Sequence, residues 1–162
     1  MVMDEAGVCI NAKLSAVWAK KGSRPIVKNN YSSGRTGVFG SLDSLGNFSY
    51  QFAYKQNSET FIAFLEYLLG RYSNILMILD NAAIHKSKKV QKFVSEHSSS
   101  LELFYLPPYC PELNATEECW RQVRLNLTNN QFFANVDELK ASLATFFEEH
   151  KFTHNLFSYL CR

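Results

Sequence analysis

The sequence lacks the marks of several broad classes. No apolar run approaches the roughly 20 residues of a membrane span. The longest, Ile75-Leu76-Met77-Ile78-Leu79, has the length of a buried strand. The start, Met1-Val2-Met3-Asp4, carries neither a basic flank nor an apolar stretch of signal-peptide length. The chain is therefore expected to stay where it is made. Four cysteines, Cys9, Cys110, Cys119 and Cys161, lie far apart without a C-x-x-C pair. That spacing argues against a structural zinc site and points to free thiols in a reducing compartment. Repeats, low-complexity tracts and an evident linker are also missing. So is an excess of one charge: the formal net charge of +2 neither demands nor excludes nucleic acid.

What is present fits one globular domain spanning residues 1–162. A chain of 162 residues with 46% hydrophobic and 20% charged side chains is long enough to bury a core. Basic residues gather at Lys20, Lys21, Arg24 and Lys28, at Lys86, Lys88, Lys89 and Lys92, and at Arg121 and Arg124. Such groups form either solvated faces or phosphate contacts.

The first half alternates strand and turn signals. Val2-Met3-Asp4 reads as a strand end, with Gly7 opening a turn. Ser15–Trp18 and Arg24–Lys28 read as short extended runs. Thr36–Leu42 and Asn47–Tyr54 flank a Ser44-Leu45-Gly46-Asn47 turn, a hairpin signal. The second half alternates helix and strand. Ser58 is placed to cap a helix with Phe61, Phe64, Leu65 and Leu68 on one face. A strand Asn74–Asp80, a basic helix Lys86–His97 and a strand Leu101–Leu106 follow, with Pro107-Pro108 as terminator. A helix is expected from about Asn114 to Leu127, and another over Val136–His150, with Asn135 and Glu138 in capping-box spacing. A short apolar tail, Phe152–Leu160, closes the chain. This order predicts an α/β fold with a mixed sheet flanked by helices.

Three acids stand at informative places. Asp80 ends an apolar strand, at the sheet edge where α/β proteins bind ligands; a turn-capping role is the simpler alternative. Asp4 also closes an apolar stretch and, alone, reads equally as a surface acid. Glu117 lies three residues after Asn114, so a capping box without chemistry accounts for it too. Together the three change the reading. Two strand-end aspartates and a first-turn glutamate can converge on one point. Carboxylates so close repel unless cations neutralise them, and hard oxygen donors suit Mg²⁺ or Mn²⁺. Two such ions about 3.5–4 Å apart serve in-line attack at a phosphodiester.

The motifs around these acids resemble those of the DDE transposases of bacterial and archaeal insertion sequences in the mariner superfamily. The resemblance rests on Asp4-Glu5-x-Gly7, on Trp18-Ala19-x-x-Gly22-x-x-Pro25, on Val38-Phe39-Gly40, on Asp80-Asn81-Ala82-x-x-His85-x-Ser87 and on Leu106 to Trp120. It covers about Met3 to Trp120 in the family's order. Cys110 stands where the family usually has Ser, and Ala115 where it has Pro. No helix-turn-helix region, which family members usually carry, precedes Asp4.

The resemblance implies a ribonuclease-H-like catalytic domain that cuts element ends and joins them to target DNA. Asp4, Asp80 and Glu117 would be the catalytic, metal-binding residues, with two Mg²⁺ or Mn²⁺ ions. Asn81, His85 and Asn114 would support them. Lys20, Lys21, Arg24, Arg35, Lys86, Lys88, Arg121 and Arg124 would contact DNA. The implied partners are double-stranded terminal-repeat DNA, a TA-containing target, a second copy assembled on DNA, and an upstream helix-turn-helix segment. The implied setting is the nucleoid in a prokaryotic cytoplasm, away from membranes. The competing readings are a plain metal-dependent nuclease and a catalytically inactive DNA-binding remnant. Trp18 and Trp120 are expected in the core.

Overall fold

The computed structural model describes residues 1–108, 110–153 and 159. Its strands are β1 (Val2–Cys9), β2 (Arg35–Leu42), β3 (Phe48–Ala53), β4 (Ile75–Leu79) and β5 (Leu101–Tyr105). They form one sheet in the order β3-β2-β1-β4-β5. β1 to β3 make an antiparallel meander, and β4 and β5 extend it in parallel from β1. The helices are α1 (Ser58–Leu69), α2 (Lys88–Glu96), α3 (Thr116–Val123) and α4 (Val136–Glu149). The mixed sheet flanked by helices agrees with the element order read from the sequence.

Strand alternation splits the core into two layers. Val2, Val38 and Leu42 face Cys119, Trp120 and Val123 of α3 and Leu139, Leu143 and Phe147 of α4. Met3, Phe39, Met77 and Leu79 face Phe61, Phe64, Leu65 and Leu68 of α1 and Val90 and Phe93 of α2. Fully burying each large apolar side chain stabilises the fold by about 1.5–3 kcal/mol before entropy is counted. The consequence for the site is directional. Because Val2 and Met3 serve opposite layers, the next two residues, Asp4 and Glu5, also face opposite layers.

Several expectations need correction. β1 does not turn at Gly7; it runs on to Cys9, with Gly7 opposite Gly37 in an eight-rung ladder with β2. Cross-strand pairing outweighs the local turn signal. Ser15–Trp18 and Arg24–Lys28 form no strands but lie in a long connection, residues 10–34, whose ends close through Ile10 N–H donating to Gly34 O at 3.0 Å. Trp18 stands in that connection at 105% exposure and packs into no core. The cap of α1 is Asn57 rather than Ser58, in a reciprocal box with Thr60. α2 begins at Lys88 under a Ser87 cap, after a separate 3-10 turn, Ala83–Lys86. α3 ends at Val123 and passes into a π turn, Arg124–Thr128.

At α4, Asn135 accepts from Glu138 N–H at 2.9 Å, while the Glu138 carboxylate takes the Ala134 amide at 2.7 Å. Cys9, Cys110 and Cys119 are free thiols, and Phe152 is buried. Most of the expected tail, with His154 and Cys161, lies outside the described residues.

Candidate active site

The cleft follows from how the central strands part. β1 and β4 pair at the single rung Val2↔Ile78. Asp4 and Asp80 each come two residues after that rung: Asp80 lies just past the carboxyl end of β4, where a sheet opens towards ligand, and Asp4 lies within β1, where β4 has stopped pairing with it. The third wall is the start of α3. Thr116 Oγ1 donates to Val2 O at 3.0 Å, and Asn114 Nδ2 reaches Met3 O at 3.4 Å. These two bonds fasten the helix start to β1 and bring Glu117 to the sheet. Asp4, Asp80 and Glu117 thus line one cleft of about 450 Å³, together with Asn81, Ala82, Leu106, Pro107, Pro108, Cys110 and Asn114.

The capping alternative for Glu117 does not describe this helix. Ala115 occupies the cap position without a side-chain cap bond. Asn114 instead accepts from Thr116 N–H at 3.1 Å, and Glu117 is exposed to the cleft.

Asp4 is the electrostatic centre of the site. Burial, then the negative charges of Glu117 and Glu5, push its carboxyl up to about 7, against the Glu5 amide and the Trp120 indole, which favour the ionised form. Trp120 Nε1 donates to Asp4 Oδ2 at 3.0 Å. Trp120 is in the core as expected, at 3% exposure, yet one edge of it belongs to the site. Gly40, the register partner of Asp4, makes room for it: a Cβ there would stand 2.7 Å from Trp120 Cη2.

Asp80 is held differently. Its Oδ1 accepts from Ala82 N–H at 2.9 Å and lies 3.2 Å from His85 Nδ1. His85 is wholly buried behind the cleft, and its Nε2 meets Glu5 Oε1 at 2.7 Å. Burial pulls the imidazole pKa down, but the Glu5 bond and charge, with Asp80 behind them, leave it above its ordinary value. Asn81 donates to Leu106 O and accepts from Lys86 Nζ, and Lys86 also lies 4.9 Å over the Tyr105 ring.

None of the basic residues singled out in the sequence lines the cleft. Lys20, Lys21 and Arg24 are exposed in the 10–34 connection, Arg35 at the start of β2, and Lys88 at the start of α2. Arg124 lines a neighbouring hollow with Lys13 beyond Trp120. Arg121 is engaged by Glu118 in a two-pronged pair, both contacts at 2.6 Å. Glu118, the acid beside Glu117, is thereby turned to Arg121 and does not line the cleft.

A mixed five-stranded sheet with an acidic cleft where its central strands β1 and β4 part defines an α/β domain of the ribonuclease-H-like class. The chain belongs to the DDE superfamily of endonucleases, whose family model matches residues 1–140. A 39 kDa protein of insertion element IS630 from Shigella sonnei is 28% identical over 149 residues, covering 90% of this chain and 43% of that protein. The Mos1 mariner paired-end complex with Mn superposes with a TM-score of 0.71 at 16% identity, covering 99% of this chain and 50% of the Mos1 chain. The catalytic domain of Mos1 mariner transposase superposes at 0.60 with 13% identity, covering 99% and 74%. The chain thus has the fold of a transposase catalytic domain and spans about half the length of the curated relative it matches.

Membership in this superfamily implies a divalent metal, and the donor set fits one. The cleft offers the carboxylate oxygens of Asp4, Asp80 and Glu117, the ligands of hard cations. Among the described residues, no three Asp, Glu, His or Cys groups close around one point.

Proposed function

We propose that the 162 residues form one catalytic domain of an insertion-sequence transposase that cuts and joins DNA at Asp4, Asp80 and Glu117. The observation that carries this reading is the meeting of three acids, from β1, the end of β4 and the first turn of α3, in one cleft. The three carboxylates would hold two Mg²⁺ or Mn²⁺ ions. When bound, such ions activate water or a DNA 3′-hydroxyl and stabilise the leaving 3′-oxygen.

The chain's own groups do the positioning. Asp4 is poised by Trp120, Asp80 by the Ala82 amide and His85, and Glu117 by the stitching of α3 to β1. Asn81 and Asn114 brace the two loops that frame the cleft. Lys20, Lys21, Arg24, Arg35, Lys86, Lys88 and Arg124 would hold the phosphate backbone. Such contacts position a duplex without reading its bases.

The substrate class is double-stranded DNA. The first step would be hydrolytic nicking at the element's terminal repeats and the second transesterification into a TA-containing target. A second copy of the chain and an upstream helix-turn-helix segment would complete the assembly on DNA. The bacterial insertion-element relative supports a prokaryotic setting, and a DNA substrate would place the protein on the nucleoid in the cytoplasm. Among the described residues, no helix is long and apolar enough to cross a membrane.

The test is nicking of plasmid DNA in Mn²⁺ by the wild type, Asp80→Asn and Glu117→Gln. Nicking by the wild type alone supports the reading, and wild-type rates in either variant would sink it. Pre-cut ends then separate the rivals. A plain nuclease would leave them unjoined, and an inactive remnant would nick nothing.

A further inference from the structure

Glu5 is the acid that the cleft does not use. It follows Asp4 on β1 and so points into the opposite layer, where its side chain is only 12% exposed. There its Oε1 sits 2.7 Å from His85 Nε2. The other face of the imidazole meets Asp80 twice: Nδ1 is 3.3 Å from Asp80 O and 3.2 Å from Asp80 Oδ1. Every polar neighbour of this ring is an acceptor. The ring thus bridges the two acids, one nitrogen towards Glu5 and the other towards Asp80. The ring is fully buried and wedged against Phe61, centroids 4.6 Å apart, and Tyr105 Oη donates to the His85 carbonyl at 3.1 Å. It cannot swing away.

We infer that Glu5 and His85 form a positioning pair that fixes the Asp80 carboxylate. Glu5 holds the buried ring from its far side at 2.7 Å. His85 then stands 3.2 Å from Asp80 Oδ1, which the Ala82 amide holds at 2.9 Å. Both contacts fall on Oδ1, so Oδ2 is the oxygen left for a cation. Neither Glu5 nor His85 lines the cleft, so both act through Asp80. This rests on reading Asp80 as a cation ligand. Outer partners of metal ligands typically change metal affinity by about 10–100-fold.

The experiment is Mn²⁺ binding to the DNA-free protein, followed by calorimetry and by the loss of free-Mn²⁺ paramagnetic signal. The proteins are wild type, Asp80→Asn, Glu5→Gln, His85→Leu and the Glu5→Gln/His85→Leu double variant, with circular dichroism as the folding control. Glu5→Gln is nearly isosteric and keeps the question open should the buried His85→Leu fail to fold. Positioning and bare electrostatics part at His85. Removing the ring takes no negative charge from the site, so Mn²⁺ binding should not weaken if only charge matters, and should weaken if the ring aims Asp80. The expected result is weakening by roughly tenfold or more in each single variant, with the double variant no worse than either. Unweakened binding in His85→Leu, or wild-type affinity in folded Glu5→Gln, would overturn the pair. Unchanged binding in Asp80→Asn would instead overturn the cleft as a metal site.

Discussion

Asp4 Oδ2 accepts a 3.0 Å hydrogen bond from Trp120 Nε1, joining the middle strand to a helix 116 positions later in the chain. The same indole packs with Phe48 edge-on, centroids 5.7 Å apart, inside the α3–α4 layer. A core residue thus aims a site residue. Trp120→Phe keeps an aromatic ring, leaves a small cavity and removes the donor. We expect a folded protein destabilised by about 1–3 kcal/mol, with nicking reduced roughly tenfold. Wild-type nicking in this variant would show that the bond has no part in aiming Asp4.

The glycine opposite Asp4 is set by the same indole. A Cβ on Gly40 would come within 2.5 Å of Phe48 Cζ and 2.7 Å of Trp120 Cη2, both parts of rigid rings. Gly40→Ala should therefore destabilise by about 1–3 kcal/mol and displace the indole from Asp4. Thermal unfolding and tryptophan fluorescence check this. An unshifted Tm with unchanged emission would contradict it.

The crowding at Asp4 makes stability depend on pH. Its carboxyl is raised from 3.8 to about 7, chiefly by burial and then by Glu117 and Glu5. Between about pH 4 and 7 the unfolded chain has released a proton that folded Asp4 retains. The folded state binds more protons there, so stability falls as pH rises through this window and stays reduced above it. Asp4→Asn should match the wild type near pH 3 and be more stable at pH 8, by on the order of 2–4 kcal/mol, in metal-free buffer. Mg²⁺ should narrow the gap by stabilising only the wild type. A gap independent of pH would remove Asp4 as its source.

Much of this site was legible in the sequence because its carriers are local. Asp80-Asn81-Ala82 follows an unbroken apolar strand, and Leu106 to Trp120 combines a proline stop with a helix start. Each announces its own geometry. The mixed sheet followed from the order of helix and strand signals for the same reason. What was hidden is carried by pairing between distant residues. Gly7 reads as a turn until eight rungs with β2 hold it in a strand. Trp18 reads as core by type, but the 10–34 connection offers no face to bury it. Glu5 and Trp120 gain their roles from facing, one into each layer. Strand alternation carries a trace of that, since neighbours on β1 must diverge, but only the assembled layers show what each one meets.

Asp80 and Asp4 should respond differently to neutralisation. Asp80 lies 3.2 Å from the His85 ring, whereas the Asp4 carboxyl is raised by burial and then by the charges of Glu117 and Glu5. Asp80→Asn should abolish nicking while giving no gain in thermal stability, unlike Asp4→Asn. Parallel melts of the two variants at pH 8 without metal check this. An equal rise in both would mean that repulsion spans the whole cleft.

DNA affinity should be carried unequally by the basic residues. Lys20, Lys21 and Arg24 are exposed in the 10–34 connection, free to approach phosphates. Arg121 is already engaged by Glu118 through two 2.6 Å contacts, and leaving that partner would offset what a phosphate contributes. Each phosphate neutralised by a lysine or arginine releases counter-ions and adds about 0.9 to the slope of log affinity against log salt. The Lys20→Ala/Lys21→Ala/Arg24→Ala variant should therefore lose up to about 2.7 of that slope if all three contact duplex DNA. Arg121→Ala should lose almost none. The wild type itself should bind with a Kd of roughly 10⁻⁴–10⁻⁶ M near physiological salt and little sequence preference, as backbone contacts alone do. Ca²⁺ should tighten binding by screening Asp4, Asp80 and Glu117, even though added monovalent salt weakens it. Fluorescence anisotropy with terminal-repeat and scrambled duplexes, at several salt concentrations with and without Ca²⁺, measures all of these. Nanomolar, salt-insensitive preference for the repeat would show that this domain reads sequence itself. A slope lost at Arg121 and kept at the 10–34 connection would move the DNA path to the α3 side of the cleft.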